Sequence, residues 1–183
     1  MNLPNKLTML RMILVPFFIA ALYLTRVAKW WAYVAVVIFV VASLTDMLDG
    51  RIARSRGLVT DFGKLMDPMA DKLLTCTAFI MLTGLGYLGV VFTVLFIARE
   101  LIISAFRLAA LEKRVVIAAE KLGKYKTIMQ MVSIIGLMLA IPEAPWQHVL
   151  TIIAQVCVHV ALVLTYVSLG SYLIKNKGVI STK

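Results

Sequence analysis

Four aspartates in two spaced pairs are the residues of this sequence best suited to chemistry. Asp46 and Asp49 are three residues apart, and Asp67 and Asp71 are four apart, within the stretch TDMLDGRIARSRGLVTDFGKLMDPMADK. On an α-helix, residues at these separations share a face, so each pair directs two carboxylates the same way. Four converging carboxylates would repel one another without a cation. Hard divalent cations such as Mg²⁺ prefer oxygen ligands and often bind substrate phosphates as well, so the pairs predict metal-dependent chemistry at a phosphate.

The residues between the two pairs fit a phosphate ligand. Gly50 and Gly63 permit close approach of the backbone to a ligand, Ala53 is small, and Arg54 can offer paired donors to a phosphate. Two metal ions about 3.5–4 Å apart would suit displacement at phosphorus. A structural interpretation stays open for each part: Asp49-Gly50 as a helix end, Asp67-Pro68 as a helix start, and the arginines as ordinary loop charge.

The composition predicts that membrane helices position these aspartates. The 183 residues are 62% hydrophobic and 15% charged, with a mean hydropathy of +0.95, whereas soluble domains are about 45–50% apolar and about 25% charged. A membrane-crossing helix needs roughly 20 apolar residues, so six would leave only short loops. We expect an all-α, polytopic integral membrane protein forming one domain over residues 1–183, with six transmembrane helices and a short N-terminal interfacial helix.

The apolar runs give the bounds of the expected spans. They are Met12–Leu24, Ala32–Leu48, Asp67–Leu85, Val90–Leu111, Thr127–Ile141 and His148–Ile174. The preceding Met1–Arg11 segment has leucines at helical spacing and is predicted to be the interfacial helix. It would serve either as a membrane anchor or to present Asn5 and Thr8 to a ligand.

The distribution of basic residues predicts the orientation in the membrane. The net charge is +10, and the basic residues concentrate in the amino end, the second and fourth inter-span loops and the tail. The alternate turns hold only Arg26 and Lys29. By the positive-inside rule, both termini and all four aspartates face the cytoplasm. Cys76 and Cys157 lack C-x-x-C spacing and are interpreted as packed thiols; no nucleic-acid-binding motif is visible.

The aspartates and their neighbours form a longer pattern that resembles a known signature. Asp46-x-x-Asp49-Gly50-x-x-Ala53-Arg54, eight residues, then Gly63-x-x-x-Asp67-x-x-x-Asp71 is similar to the signature of the CDP-alcohol phosphatidyltransferases. The resemblance implies a two-metal centre of Mg²⁺ or Mn²⁺ held by the four aspartates, with Asp71 also the general base on the acceptor hydroxyl. It implies a CDP-donor site that comprises Asn5, Thr8, Asp46, Asp49, Gly50, Ala53, Arg54 and Gly63.

Further segments resemble the bacterial phosphatidylglycerophosphate synthases within that family. They are Asn2-Leu-Pro-Asn-Lys-Leu-Thr-x-x-Arg11, Asp67-Pro-x-Ala-Asp-Lys72, Ala98-Arg-Glu100, Arg107 and Gly123-Lys-x-Lys-Thr-x-x-Gln-Met131. The resemblance implies CDP-diacylglycerol as donor, sn-glycerol 3-phosphate as acceptor, a location in the cytoplasmic (inner) membrane, and a homodimer. Candidates to bind the acceptor phosphate are Arg107, Lys124 and Lys126.

Other functions stay open at this point. The same donor could serve phosphatidylglycerol, as in a cardiolipin synthase, or inositol phosphate; the lysine cluster argues against serine. A cation transporter would use the acidic residues but leaves the Gly-x-x-Ala-Arg spacing without a purpose. Arg99 and Glu100 lie within an apolar span, where unpaired charge is costly, so each is expected to pair with another span, Glu100 with a basic residue near the acceptor pocket.

Overall fold

The chain folds into α-helices throughout the part that the structure describes. The computed structural model describes the backbone of residues 3–56, 61–112 and 121–176, and the side chains of residues 9–45, 72–108, 110, 123 and 125–176. These ranges form six helices and no strand: α1 Leu3–Leu24, α2 Trp31–Arg56, α3 Asp61–Gly84, α4 Val90–Glu112, α5 Lys121–Leu139 and α6 Gln147–Lys175. The all-α prediction is confirmed.

The prediction of a separate N-terminal interfacial helix is wrong. One helix, α1, runs without interruption from Leu3 to Leu24. Pro4 lies in its first turn, where the missing N–H of proline would have no intrahelical acceptor in any case. No helix-breaking residue divides this polar start from the apolar run, so both form one element, with Pro16 in its interior.

Three helices extend beyond the apolar runs that predicted them. Helix α2 ends at Arg56 rather than near residue 48, α3 begins at Asp61 rather than residue 67, and α5 begins at Lys121 rather than residue 127. Arginine and lysine are good helix formers, and a single glycine costs only about 1 kcal/mol. Consequently four basic residues that the sequence placed in a loop are helical: Arg51, Arg54, Arg56 and Lys64.

Buried aromatic pairs join neighbouring helices in the core. Phe18 of α1 and Phe39 of α2 have ring centroids 5.7 Å apart, and both side chains are fully buried. Phe79 of α3 stacks on Phe96 of α4 with centroids 4.5 Å apart and an interplanar angle of 5°. Such pairs contribute about 0.5–1.5 kcal/mol beyond the area that they bury, and they fix the α1–α2 and α3–α4 pairs laterally.

Helices α5 and α6 make the most extensive contact of the bundle. Their backbones approach closely at Gly136, where an added Cβ atom would lie 3.0 Å from Cβ of Ala154. Small residues at a crossing let two helix backbones pack tightly. Helix α5, which carries the Lys124 and Lys126 candidates, is therefore fixed against α6.

A tight turn ends α3 at the end of the bundle remote from the aspartates. Gly86 has φ +83°, its N–H donates to the carbonyl of Thr83 at 3.0 Å, and the N–H of Tyr87 donates to that of Leu82 at 2.9 Å. This is the Schellman pattern of bonds, which needs a left-handed residue such as glycine. Arg26, in the turn between α1 and α2, donates to the carbonyl of Gly84 at 3.2 Å. The start of α2 thus lies beside the end of α3, and the two helices are antiparallel.

One helix meets the length and hydropathy of a membrane span on its own. Within the described ranges this helix is α6, Gln147–Lys175. The apolar parts of four other helices are 10–17 residues long, namely Met9–Leu24, Trp31–Thr45, Lys72–Gly84 and Tyr125–Leu139. The prediction of six spans stays a prediction.

Candidate active site

The two aspartate pairs lie at matching levels of the antiparallel helices α2 and α3. Asp46 is ten residues before the end of α2, and Asp71 is ten residues after the start of α3. Asp49 is seven residues and Asp67 six residues from the same two ends. At 1.5 Å per residue, Asp46 and Asp71 lie about 15 Å from these helix ends, and Asp49 and Asp67 lie about 10 Å from them. The backbone therefore brings all four positions to the same end of the bundle at comparable depth; their side chains fall outside the described ones.

The predicted donor-site residues lie on the three helices that surround this level. Asn5 and Thr8 are in the first turns of α1, Gly50, Ala53 and Arg54 are in the last turns of α2, and Gly63 is in the first turn of α3. Helix α1 packs against both α2 and α3. The three helices thus form one unit, and the predicted donor-site positions all lie near the same end of it.

Arg11 fixes α1 against the part of α2 that leads to the first aspartate. Its side chain is 1% exposed, and its Nε donates to the carbonyl of Ala42 at 3.3 Å. That carbonyl is four residues before Asp46, so it is also the helical acceptor of the Asp46 N–H. Burial of a cation cannot be seen in an isolated sequence, so the sequence predicted no role for Arg11 beyond its place in the resembling segment.

The four aspartates are the kind of ligands that a hard divalent metal prefers. Four carboxylates on two antiparallel helices offer oxygen ligands alone, which favours Mg²⁺ or Mn²⁺ over softer metals. Among the side chains that the structure describes, no group of three or more His, Cys, Asp or Glu residues lies together. The ligand role of the four aspartates, whose side chains fall outside the described ones, stays a prediction.

The three acceptor-site candidates differ in their surroundings. Arg107 is exposed on α4. Lys126 is 5% exposed, and its Nζ donates to the Oε1 of Glu100. Lys124 lies in the first turns of α5, and its side chain is not among the described ones. The expected pairing of Glu100 with a basic residue of another helix is confirmed.

Glu100 belongs to a polar cluster that joins α3, α4, α5 and α6. Its Oε1 also accepts from NH1 of Arg99 at 3.3 Å, and Arg99 NH2 donates to Oγ of Ser168 on α6 at 3.4 Å. Nζ of Lys72 on α3 donates to Oγ of Ser104 and to the backbone carbonyl of Glu100 at 3.4 Å. Buried charges are stable only when paired, and this cluster supplies the partners.

The cluster connects the acceptor candidates with the second aspartate pair. Lys72 follows Asp71 in the sequence, and its partner Ser104 lies one turn before Arg107 on α4. The turn of α3 that carries Asp71 is thus held against the turn of α4 that leads to Arg107. Sequence reasoning missed Lys72 and Ser104 because a lysine beside an aspartate and a serine in an apolar run give no signal of their own.

Two cysteines and a histidine lie on α3 and α6: Cys76 on α3, and Cys157 and His159 on α6. Cys76 and Cys157 are partly buried and are not joined by a disulfide. His159 makes an edge-to-face contact with Phe92, with centroids 4.8 Å apart, and its Nδ1 lies 2.7 Å from the carbonyl of Gln155. None of these three side chains lies in the cluster around Glu100.

Comparison with known proteins assigns a family to this arrangement. The family model for CDP-alcohol phosphatidyltransferases matches residues 1–168. The chain is 36% identical over 179 residues to a CDP-diacylglycerol–glycerol-3-phosphate 3-phosphatidyltransferase of Yersinia enterocolitica, covering 94% of this chain and 93% of the relative. It is 34% identical over 193 residues to the protein of the same name from Bacillus subtilis, covering 99% and 98%. Both similarities extend over nearly the whole of each chain.

Proposed function

The chain belongs to the CDP-alcohol phosphatidyltransferase family, and we propose that it transfers the phosphatidyl group of CDP-diacylglycerol to sn-glycerol 3-phosphate. The products are phosphatidylglycerophosphate and CMP. The observation that carries this proposal is the near full-length similarity to relatives named for that activity. The four aspartates at matching depth on α2 and α3 are consistent with the phosphatidyl-transfer part of this proposal.

The reaction needs a nucleophile, a leaving group and a base. A hydroxyl oxygen of glycerol 3-phosphate forms a bond to the phosphorus that carries diacylglycerol, and the bond from that phosphorus to the CMP oxygen breaks. Asp71 takes the proton of the attacking hydroxyl, since a carboxylate within hydrogen-bond reach can act as the general base. The four aspartates would hold divalent cations, on which this family generally depends. Such ions supply positive charge that stabilises the pyrophosphate and the departing CMP.

The remaining candidates bind the two substrates. Asn5, Thr8, Gly50, Ala53, Arg54 and Gly63 would surround the cytidine diphosphate part of the donor, with Asp46 and Asp49. Arg107 and Lys124, together with Lys126, would neutralise the acceptor phosphate. Cationic side chains favour an acceptor that bears a phosphate, which supports glycerol 3-phosphate over serine.

The proteins of this family are membrane-associated phospholipid synthases, and we place this chain in the cytoplasmic membrane. Large apolar side chains on outer faces support contact with lipid: Phe17 of α1 is 61% exposed, Val91 of α4 69% and Val163 of α6 62%. The basic residues near the aspartate end support a cytoplasmic active site and cytoplasmic termini. We further propose six spans, a single domain over residues 1–183 and a homodimer.

Release of CMP from the purified protein tests the proposed activity. In detergent with Mg²⁺ or Mn²⁺, we expect CMP only when CDP-diacylglycerol and glycerol 3-phosphate are both present. A panel of acceptors that includes phosphatidylglycerol, inositol phosphate and serine identifies the alcohol. CMP release with another member of the panel, and none with glycerol 3-phosphate, would refute the acceptor assignment.

A pair of variants on one helix tests the general base. Asp71→Asn removes the proton acceptor and is expected to lower kcat by about 10²–10⁴-fold, the usual contribution of general-base catalysis. Asp61→Asn is the matched control, because Asp61 lies at the start of the same helix α3 and outside the signature; it should retain near wild-type activity. Full activity of Asp71→Asn would remove that residue from the mechanism.

A further inference from the structure

Glu100 is the acidic residue around which the cluster near the proposed acceptor site is built. Its side chain is 12% exposed, and its Oε1 binds both Lys126 and Arg99. We propose that Glu100 is a positioning residue for the acceptor: it holds the ammonium of Lys126 where that group receives the phosphate of glycerol 3-phosphate. This inference rests on the proposed function and adds to it a determinant of acceptor affinity.

An ion pair joins Lys126 of α5 directly to α4. Within the described ranges, α5 packs mainly on α6 and is not in extensive contact with α4. Lys126 nevertheless reaches Glu100 of α4. Helix α6 packs against both α4 and α5, and the Glu100 carboxylate binds the Lys126 ammonium on the α4 side.

The face of α4 that carries Glu100 also carries Ser104 and the acceptor-site candidate Arg107. Ser104 and Arg107 follow Glu100 by four and seven residues, and both separations return to one face of a helix. Arg107 is therefore about 10 Å along α4 from Glu100, toward the helix end that is level with the aspartates. Lys72, in the turn after Asp71, binds Ser104 on the same face. Lys126, which binds Glu100, and Lys72, which follows Asp71, therefore both bind to this face of α4.

The chemistry of a buried ammonium explains why the carboxylate matters for binding. Lys126 is 5% exposed, and a lysine in such a place keeps its charge only with an anionic partner. Glu100 supplies a carboxylate partner to Lys126, and a glutamine at this position would keep the size of the side chain while removing the negative charge. An aspartate would keep the charge but shorten the reach by one methylene.

Steady-state kinetics with each substrate varied in turn tests the proposal. Glu100→Gln is expected to raise KM for glycerol 3-phosphate by about tenfold or more, as for loss of a hydrogen bond to a charged group. KM for CDP-diacylglycerol and kcat should each change less than about threefold, because the proposed donor site and general base do not share a partner with Glu100 in this proposal. Glu100→Asp should restore part of the affinity. Glu143→Gln is the control, because it makes the same change at an exposed glutamate in the turn between α5 and α6, and its KM values should equal those of the wild type.

A double variant separates positioning from a structural role. Once Lys126→Met has removed the ammonium, Glu100→Gln should raise KM for glycerol 3-phosphate no further. The combined variant is also neutral at both positions, so it tests affinity even where Glu100→Gln alone does not fold. Additive effects of the two changes, or equal increases in both KM values, would overturn the inference. A wild-type protein without activity on glycerol 3-phosphate would overturn the proposed function as well, whereas an active wild type with an unchanged KM in Glu100→Gln overturns this inference alone.

Discussion

The crossing of α5 and α6 provides a prediction whose size follows from one contact. In Gly136→Ala, the new Cβ would lie 3.0 Å from Cβ of Ala154, whereas carbon atoms pack best at about 3.5–4.0 Å. The helices must therefore separate by about 0.5–1 Å at their closest point. Overpacking of this kind costs about 1–3 kcal/mol, and replacing a helical glycine by alanine returns about 1 kcal/mol. We expect a net loss of about 0–2 kcal/mol in the free energy of unfolding.

A double-mutant cycle isolates the contact from helix propensity. Ala154→Gly removes the opposing Cβ and costs about 1 kcal/mol of propensity. In the double variant the two propensity effects cancel and the clash is absent, so its stability should be close to that of the wild type. The coupling energy of the cycle should then be about 1–3 kcal/mol, well above the roughly 0.5 kcal/mol within which independent sites add.

Reversible unfolding in detergent, followed by circular dichroism, measures all four corners of the cycle. Gly170→Ala on α6 is the control, because an added Cβ there would meet nothing within 4 Å, and it should not destabilise the protein. Additivity of the Gly136 and Ala154 changes within about 0.5 kcal/mol would refute the close crossing. It would also remove the basis for regarding α5 as fixed against α6.

Three further outcomes are expected. Chelation with EDTA should abolish CMP release, and added Mg²⁺ or Mn²⁺ should restore it, because oxygen-only donor sets bind these ions; activity that survives exhaustive chelation would contradict the metal assignment. Arg107→Ala should raise KM for glycerol 3-phosphate by about tenfold, the size of one lost charged hydrogen bond, without a similar change in KM for CDP-diacylglycerol. Gly86→Ala should lower the free energy of unfolding by about 1–2 kcal/mol, because φ is +83° at this residue. Gly84→Ala is the control and should not lower it, because the added Cβ would meet no atom within 4 Å. Equal stabilities of the two variants would contradict the left-handed turn.

The sequence predicted the helical class and the order of the six helices because apolar periodicity and short polar breaks are local signals. It predicted α4 and α6 almost to the residue, since Pro142, Pro145 and the glycines around Leu85 interrupt the chain there. It placed the end of α2 and the starts of α3 and α5 wrongly, because the limits of the apolar runs were taken as the limits of the helices. The charged residues of those segments are helix formers, so helix and apolar run do not coincide.

The candidate site was only partly accessible to the same reasoning. The aspartate spacing is local and was visible, and the family comparison agrees with the function that it suggested. The partners of Lys126 and Lys72 depend on how α3, α4 and α5 meet, which no local pattern encodes. Glu100 could be expected to pair with some cation because buried charge is costly, but its choice of Lys126 is a property of the packed helices.

The bond from Arg11 to the carbonyl of Ala42 bears on whether α1 is exchangeable. A foreign apolar helix of equal length would hold the chain in a bilayer equally well. It would lack the buried Arg11, however, which binds the segment of α2 that precedes Asp46. Grafting such a helix would leave the Ala42 carbonyl without its second donor and would free α1 to rotate about its own axis. Asn5 and Thr8 would then no longer have a fixed angular position relative to the aspartates. Arg11 therefore helps to orient α1, and with it the helix start that carries Asn5 and Thr8, the residues proposed for the donor site.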